Sequence, residues 1–138
     1  MVIFCLLLLG CGFRKPAAHE PVLWGTRAAT KAEVFQRLEA AMKAEGLPIA
    51  KADRGSGTIV TDSFDVLPEY CDCGLNLLGE EYPGQRRGVM TVKVSQGDST
   101  TVKFEFQTRL TILANQKILL CGSKGVLEQK LLGSLERR

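Results

Sequence analysis

Between Thr100 and Leu113 the chain alternates in the manner of a long two-faced strand. Val102, Phe104, Phe106, Leu110 and Ile112 fall on one side, and Thr101, Lys103, Glu105, Gln107 and Arg109 on the other. Successive strand side chains point to opposite faces, so this segment reads as antiparallel sheet with one dry and one wet face. A dry face of that length has to be covered by another layer, and the rest of the sequence supplies candidates on both sides.

Thr30 with Glu33 three positions later spells a capping box, and Phe35, Leu38, Ala41 and Met42 then recur at helical spacing until Gly46-Leu47-Pro48. At the other end, Leu127, Leu131 and Leu135 repeat every fourth residue, with Val126 and Leu132 flanking and Ser123 as the expected N-cap. Shorter strands are expected at 47–52, 58–66, 89–95 and 117–121. In the second of these, Val60, Phe64 and Val66 stand apart from Thr61, Ser63 and Asp65. Turn chemistry separates them at 53–57, at Gly97-Asp98 and at Asn115-Gln116. The expected fold class is α+β: an antiparallel sheet of about five strands with an N-terminal and a C-terminal helix packed on one face. The same periodicities place Leu131 and Phe106 in the core.

Composition narrows the functional classes. With 138 residues, 45% hydrophobic and 24% charged, the chain suits one globular domain, expected over 28–138. The net charge of +3 arises from 18 basic and 15 acidic residues that are scattered, which argues against a nucleic-acid partner. The only histidine, His19, falls in the segment expected to be a tether, so chemistry needing a histidine in the folded domain is excluded. The stretch 53–81 carries seven acidic residues and one basic one. With no loop of the EF-hand type it reads as a solvated acidic surface rather than a calcium site. Gly55-Ser56-Gly57 reads as a turn, since no Gly-Lys-Ser/Thr follows.

Residues 1–10 form an uninterrupted, uncharged apolar run, half the length that a membrane-spanning helix needs and suited to the apolar region of a signal peptide. Leu8-Leu9-Gly10-Cys11 resembles the lipobox of bacterial lipoproteins. That resemblance implies cleavage before Cys11 and acyl chains on Cys11. Residues 11–27, with Pro16, Pro21 and Gly25 and no sustained period, read as a tether from the membrane to the domain, in which Val22, Leu23 and Trp24 could dock as a short edge strand. Two or more acyl chains anchor stably where one does not. No Lys or Arg precedes Arg14, although signal peptides open with such residues, so an in-frame start further upstream is expected. Gly12, in place of the aspartate that retains lipoproteins at the inner membrane, implies the outer membrane, periplasmic face.

Three further cysteines matter: Cys71, Cys73 and Cys121. In an exported protein, disulfide formation is the default. The connection 67–85 is long enough to need a staple or a function. A bridge from Cys73 or Cys71 to Cys121 would fasten it, and closing a loop of about 50 residues contributes about 4 kcal/mol in the chain-entropy model. Three thiolates can also hold zinc, but Cys-x-Cys with no fourth ligand disfavours it. Thioredoxin-like chemistry would want Cys-x-x-Cys. The remaining option is intermolecular pairing through the spare thiol. The expectation is therefore a structural disulfide with no metal, no cofactor and no catalytic residue.

Val34-Phe35 with Leu38, the apolar segment after Gly46, and Gly57-Thr58-Ile59-Val60-Thr61-Asp62 resemble the domains of BamC-type lipoproteins of Gram-negative outer membranes. The resemblance implies a helix-grip fold and an accessory role in envelope assembly. Asp72-Cys73-Gly74 and the segment from Cys121 to Glu128 resemble small lipoproteins in which a Cys-x-Ser-x-Gly-x-Leu-Glu segment opens the last helix. That resemblance implies Cys73 as the partner of Cys121, leaving Cys71 as the spare thiol. The functional expectation is a membrane-anchored, non-enzymatic module that binds envelope proteins through its open sheet face or its 67–85 loop. The alternative is a carrier of a small hydrophobic ligand in a cavity between helix and sheet, a space that Phe35, Met42, Phe64, Phe104 and Phe106 are large enough to fill.

Overall fold

The computed structural model describes residues 12–17 and 22–136. The expected signal run, Cys11 and His19 lie outside the described residues. The architecture is α+β, with two helices and a large antiparallel sheet of eight strands, more than the five expected.

The frame is a hairpin of two 13-residue strands, β6 (Gly84–Gln96) and β7 (Thr100–Ile112), paired from Gly84↔Ile112 to Gln96↔Thr100. Alternation drives it. Met90, Val92 and Val94 of β6 and Val102, Phe104, Leu110 and Ile112 of β7 are buried, while Lys93, Lys103, Glu105 and Arg109 are exposed. On one flank, β3 (Thr58–Thr61) pairs with β6 and β2 (Ile49–Asp53) with β3, and the two-residue β4 (Phe64–Asp65) also pairs with β6. On the other flank, β1 (Leu23–Thr26) takes the first part of β7 and β8 (Ile118–Ser123) the last part. The two-residue β5 (Cys71–Asp72) pairs with the end of β8. Three strands exceed the expected five: β1, which docks Leu23 and Trp24 as a short edge strand; β4, split off from the expected strand 58–66; and β5, whose two residues are too short to show a period.

Helix α1 (Lys31–Ala44) starts where Thr30, in extended backbone, accepts the Glu33 N–H. It ends in a Schellman pattern, with the Leu47 N–H donating to the Met42 carbonyl, the Gly46 N–H to Lys43, and Gly46 at φ 77°. Its inner face is Val34, Phe35, Leu38 and Met42. Helix α2 (Val126–Glu136) buries Leu127, Leu131, Leu132 and Leu135. Both helices join the same face of the sheet in one apolar cluster. Each fully buried leucine there contributes about 2 kcal/mol of transfer free energy.

Several local expectations need correction. Ser123 does not cap α2: it is the last residue of β8, where its hydroxyl accepts the Gly125 N–H and donates to Glu128. The helix opens with the Gln129 N–H on the Gly125 carbonyl. The segment 58–66 is not one strand but breaks at Asp62-Ser63. Before the break, Ile59 and Thr61 face the core and Val60 does not; after it, Val66 is buried. Thr61 is accepted inside because its hydroxyl takes the Met90 N–H at 2.9 Å. Phe106 shares the core face but stays only half-buried, stacked on Phe64 with ring centroids 5.8 Å apart and packed over Gly88, where a Cβ would collide with its ring.

Candidate functional site

Two groups of chemistry-bearing residues meet at the end of the sheet where β5 joins β8. The register Cys71↔Ser123 and Asp72↔Gly122 brings Cys73 opposite Cys121. Their sulfurs are bonded, with Cα atoms 4.4 Å apart. Cys71 is the free thiol, buried, its Sγ 3.8 Å from that of Cys73. The three sulfurs lie within 4.8 Å of one another, a spacing that three thiolates could use to hold an ion, but two of them are spent in the bond. Burial pushes the Cys71 thiol above its ordinary pKa, against the opposing pull of the Arg86 and Lys124 charges and the Thr108 hydroxyl. A thiol held protonated is a slow nucleophile, so the arrangement suits a staple better than a redox pair.

Sequence reasoning missed the polar side chains around the cysteines. Arg86 sits at a core-facing position of β6, its head 3.8 Å from Glu81, and Thr108 is the cross-strand neighbour of Cys121. Among the described residues, Arg86 Nε and Glu128 Oε1 are buried without a hydrogen-bond partner. Arg86 escaped notice because the expected strand began at Val89, beyond the point where apolar alternation fades. Thr108 alone carried a signal, as a polar residue in the apolar phase of β7.

The second group lies in residues 12–17, expected to be part of a free tether. Arg14 and Leu75 instead exchange both backbone hydrogen bonds, at 3.2 and 2.8 Å. The Arg14 guanidinium contacts the buried Asp72 carboxylate at 2.6 Å. That contact, helped by the Gly74 and Ala17 N–H groups and opposed by burial, lowers the Asp72 pKa to about 2. Gly74 is required here, since it adopts φ 78° and a Cβ would collide with the Arg14 carbonyl. Asp72 is the exception in the expected solvated acidic stretch, whose Asp62, Asp65, Glu69, Glu80 and Glu81 are exposed. It is buried and paired, while Asp65 pairs with Arg87 at 2.8 Å. The partner cations, Arg14 and Arg87, lie outside the stretch, so its own sequence hides them.

Beyond Leu75, a compact turn presents apolar side chains to solvent. Asn76 Oδ1 accepts the N–H groups of Leu78 and Glu80, and its backbone bonds to Glu80 and Gly79. Leu77 and Leu78 are left 68% and 77% exposed at its tip. On the open face of the sheet, Leu23, Ile118 and Leu120 stand among Lys93, Lys103 and Arg109. A cleft of about 190 Å³ runs there between Arg87, Val89, Gln107, Arg109 and Leu120. No described helix is long and apolar enough to cross a membrane. No family model and no curated protein matches the chain.

Proposed function

We propose that the chain is the precursor of a bacterial lipoprotein. Residues 1–10 direct export, Cys11 becomes the acylated first residue, and 28–138 form one periplasmic domain at the outer membrane. There the domain binds other envelope proteins without catalysing a reaction, as an accessory module of the BamC-like, helix-grip kind. The observation that carries the reading is Leu8-Leu9-Gly10-Cys11 at the end of an uncharged apolar run.

The open face of the sheet, with Leu23, Ile118 and Leu120 exposed on it, offers a surface for a partner. A raised thiol pKa at Cys71 and a bonded Cys73–Cys121 pair weigh against a cysteine nucleophile. Phe35, Met42 and Phe104 are buried in the space between helices and sheet, with Phe64 and Phe106 packed at its margin, which leaves the carrier reading with little support.

Replacing Cys11 by Ser tests the anchor. Unprocessed precursor should accumulate, incorporation of labelled palmitate should vanish, and the protein should leave the outer-membrane fraction. Normal maturation and fractionation of that variant would defeat the proposal.

A further inference from the structure

The turn at 76–80 and the docked segment 12–17 together point to a specific seat on the bilayer. We propose that Phe13, Leu77 and Leu78 insert into the lipid surface beside the acyl chains on Cys11, fixing how the domain stands on the membrane. This inference rests on the lipoprotein reading and adds to it the partner and the orientation.

Three observations carry it. The first is position: Gly12, one peptide bond from Cys11, packs against the backbone of Leu77 and Gly79 so closely that a Cβ on it would collide with the Leu77 carbonyl. Acyl chains on Cys11 would therefore enter the bilayer next to this turn. The second is rigidity. Arg14 is tied to Leu75 and Asp72, and the turn is closed by Asn76 with Gly79 at φ 77°, so the segment from Gly12 to Arg14 and the leucines form one body. A free tether would leave the domain without a preferred orientation; this one does not. The third is chemistry: Phe13, Leu77 and Leu78 are 47%, 68% and 77% exposed. Lys15, exposed two residues on from Phe13, suits the headgroup level, where a long cationic side chain keeps its charge in water. A bilayer accepts such a cluster without demanding shape complementarity, and its proximity to the acylated residue makes lipid the occupant.

The test uses the full, acylated protein with Leu77→Trp or Leu78→Trp in a Trp24→Phe background, since Trp24 is the only tryptophan. It is reconstituted into phosphatidylethanolamine–phosphatidylglycerol vesicles containing lipids brominated near the headgroup end of their chains. An interfacial seat is about 5–10 Å deep, so the indole at position 77 or 78 should lose most of its emission. A Leu120→Trp control on the open face should keep its emission. Intact-mass analysis of Cys11 reads the anchor separately. Acylated protein whose indoles at 77 and 78 are unquenched overturns the seat and leaves the lipoprotein reading standing. Burial of these positions in native membranes without bromine quenching also overturns it, and assigns the turn to a protein partner. Absence of acyl groups on Cys11 removes both proposals.

Discussion

The helix-covered hairpin and the arm at 71–80 are held by different physics. In the hairpin, stability is spread over many side chains: Val92, Val94, Leu38, Met42, Leu110 and Leu131 are each almost wholly buried, and no one of them is unique. In the arm, a few discrete links do the holding: one disulfide, one ion pair, one glycine at positive φ and one asparagine closing a turn. Spread burial tolerates change gradually and fails as a unit, whereas the point links other than the disulfide fail one at a time and locally. The consequence for function is direct. The tip of the arm can be shaped for a surface because the core does not depend on the side chains at 77 and 78, and Leu77 and Leu78 can remain exposed without loss to the fold.

Three perturbations would break or sharpen that contrast. The largest effect is expected from Cys121→Ser, which opens a 48-residue separation and should lower the unfolding free energy by about 4 kcal/mol in urea titrations of the oxidised protein. A loss below about 1 kcal/mol would mean that the bond ties down only the arm and not the chain as a whole. Next, Leu131→Ala should cost about 2–5 kcal/mol, and Phe106→Ala less, because Phe106 is only half-buried. Equal losses at the two sites would contradict the burial described for them.

The smallest effect belongs to Arg14→Ala. The Arg14 side chain is half exposed and ties only the docked segment, so global stability should change least among the three perturbations. Amide exchange at Leu75, whose N–H donates to Arg14, should nevertheless accelerate markedly. Acid should reproduce that local release. The Asp72 pKa is depressed in the folded state, so its contribution is present above the ordinary value of 3.8 and is lost as pH falls through about 2. Leu75 exchange, corrected for its intrinsic pH dependence, should therefore rise over that window and not above it. An unchanged rate would separate Asp72 from the docking of residues 12–17.

What could be read from the sequence followed the strength of its periodicity. β7 was legible nearly to the residue, because thirteen alternating positions leave only one set of faces. α1 was legible because Thr30 and Gly46 bracket a helical stripe. The segment around Asp62-Ser63 was misread, since two short strands in different phases imitate one long one, and an inward threonine looks polar until its partner Met90 N–H is known. The cysteine pairing left Cys71 and Cys73 open on spacing, and only a resemblance pointed to Cys73; the register of β5 on β8 places Cys73 opposite Cys121.

By itself, then, the sequence determined the elements whose signal is local and repeated: the long strand, the two helices, their apolar faces and the α+β class that follows from covering one face of a sheet. The proposal of an export motif at Leu8–Cys11 likewise rests on sequence alone. Only the tertiary structure decided that Arg14 meets Asp72, that β5 finds β8, that Arg86 lies under the cysteines, and that Gly12 rests on the Leu77 turn. The reason is separation along the chain: such contacts join single residues tens of positions apart, and one backbone bridge or one ion pair leaves no period for a sequence to display.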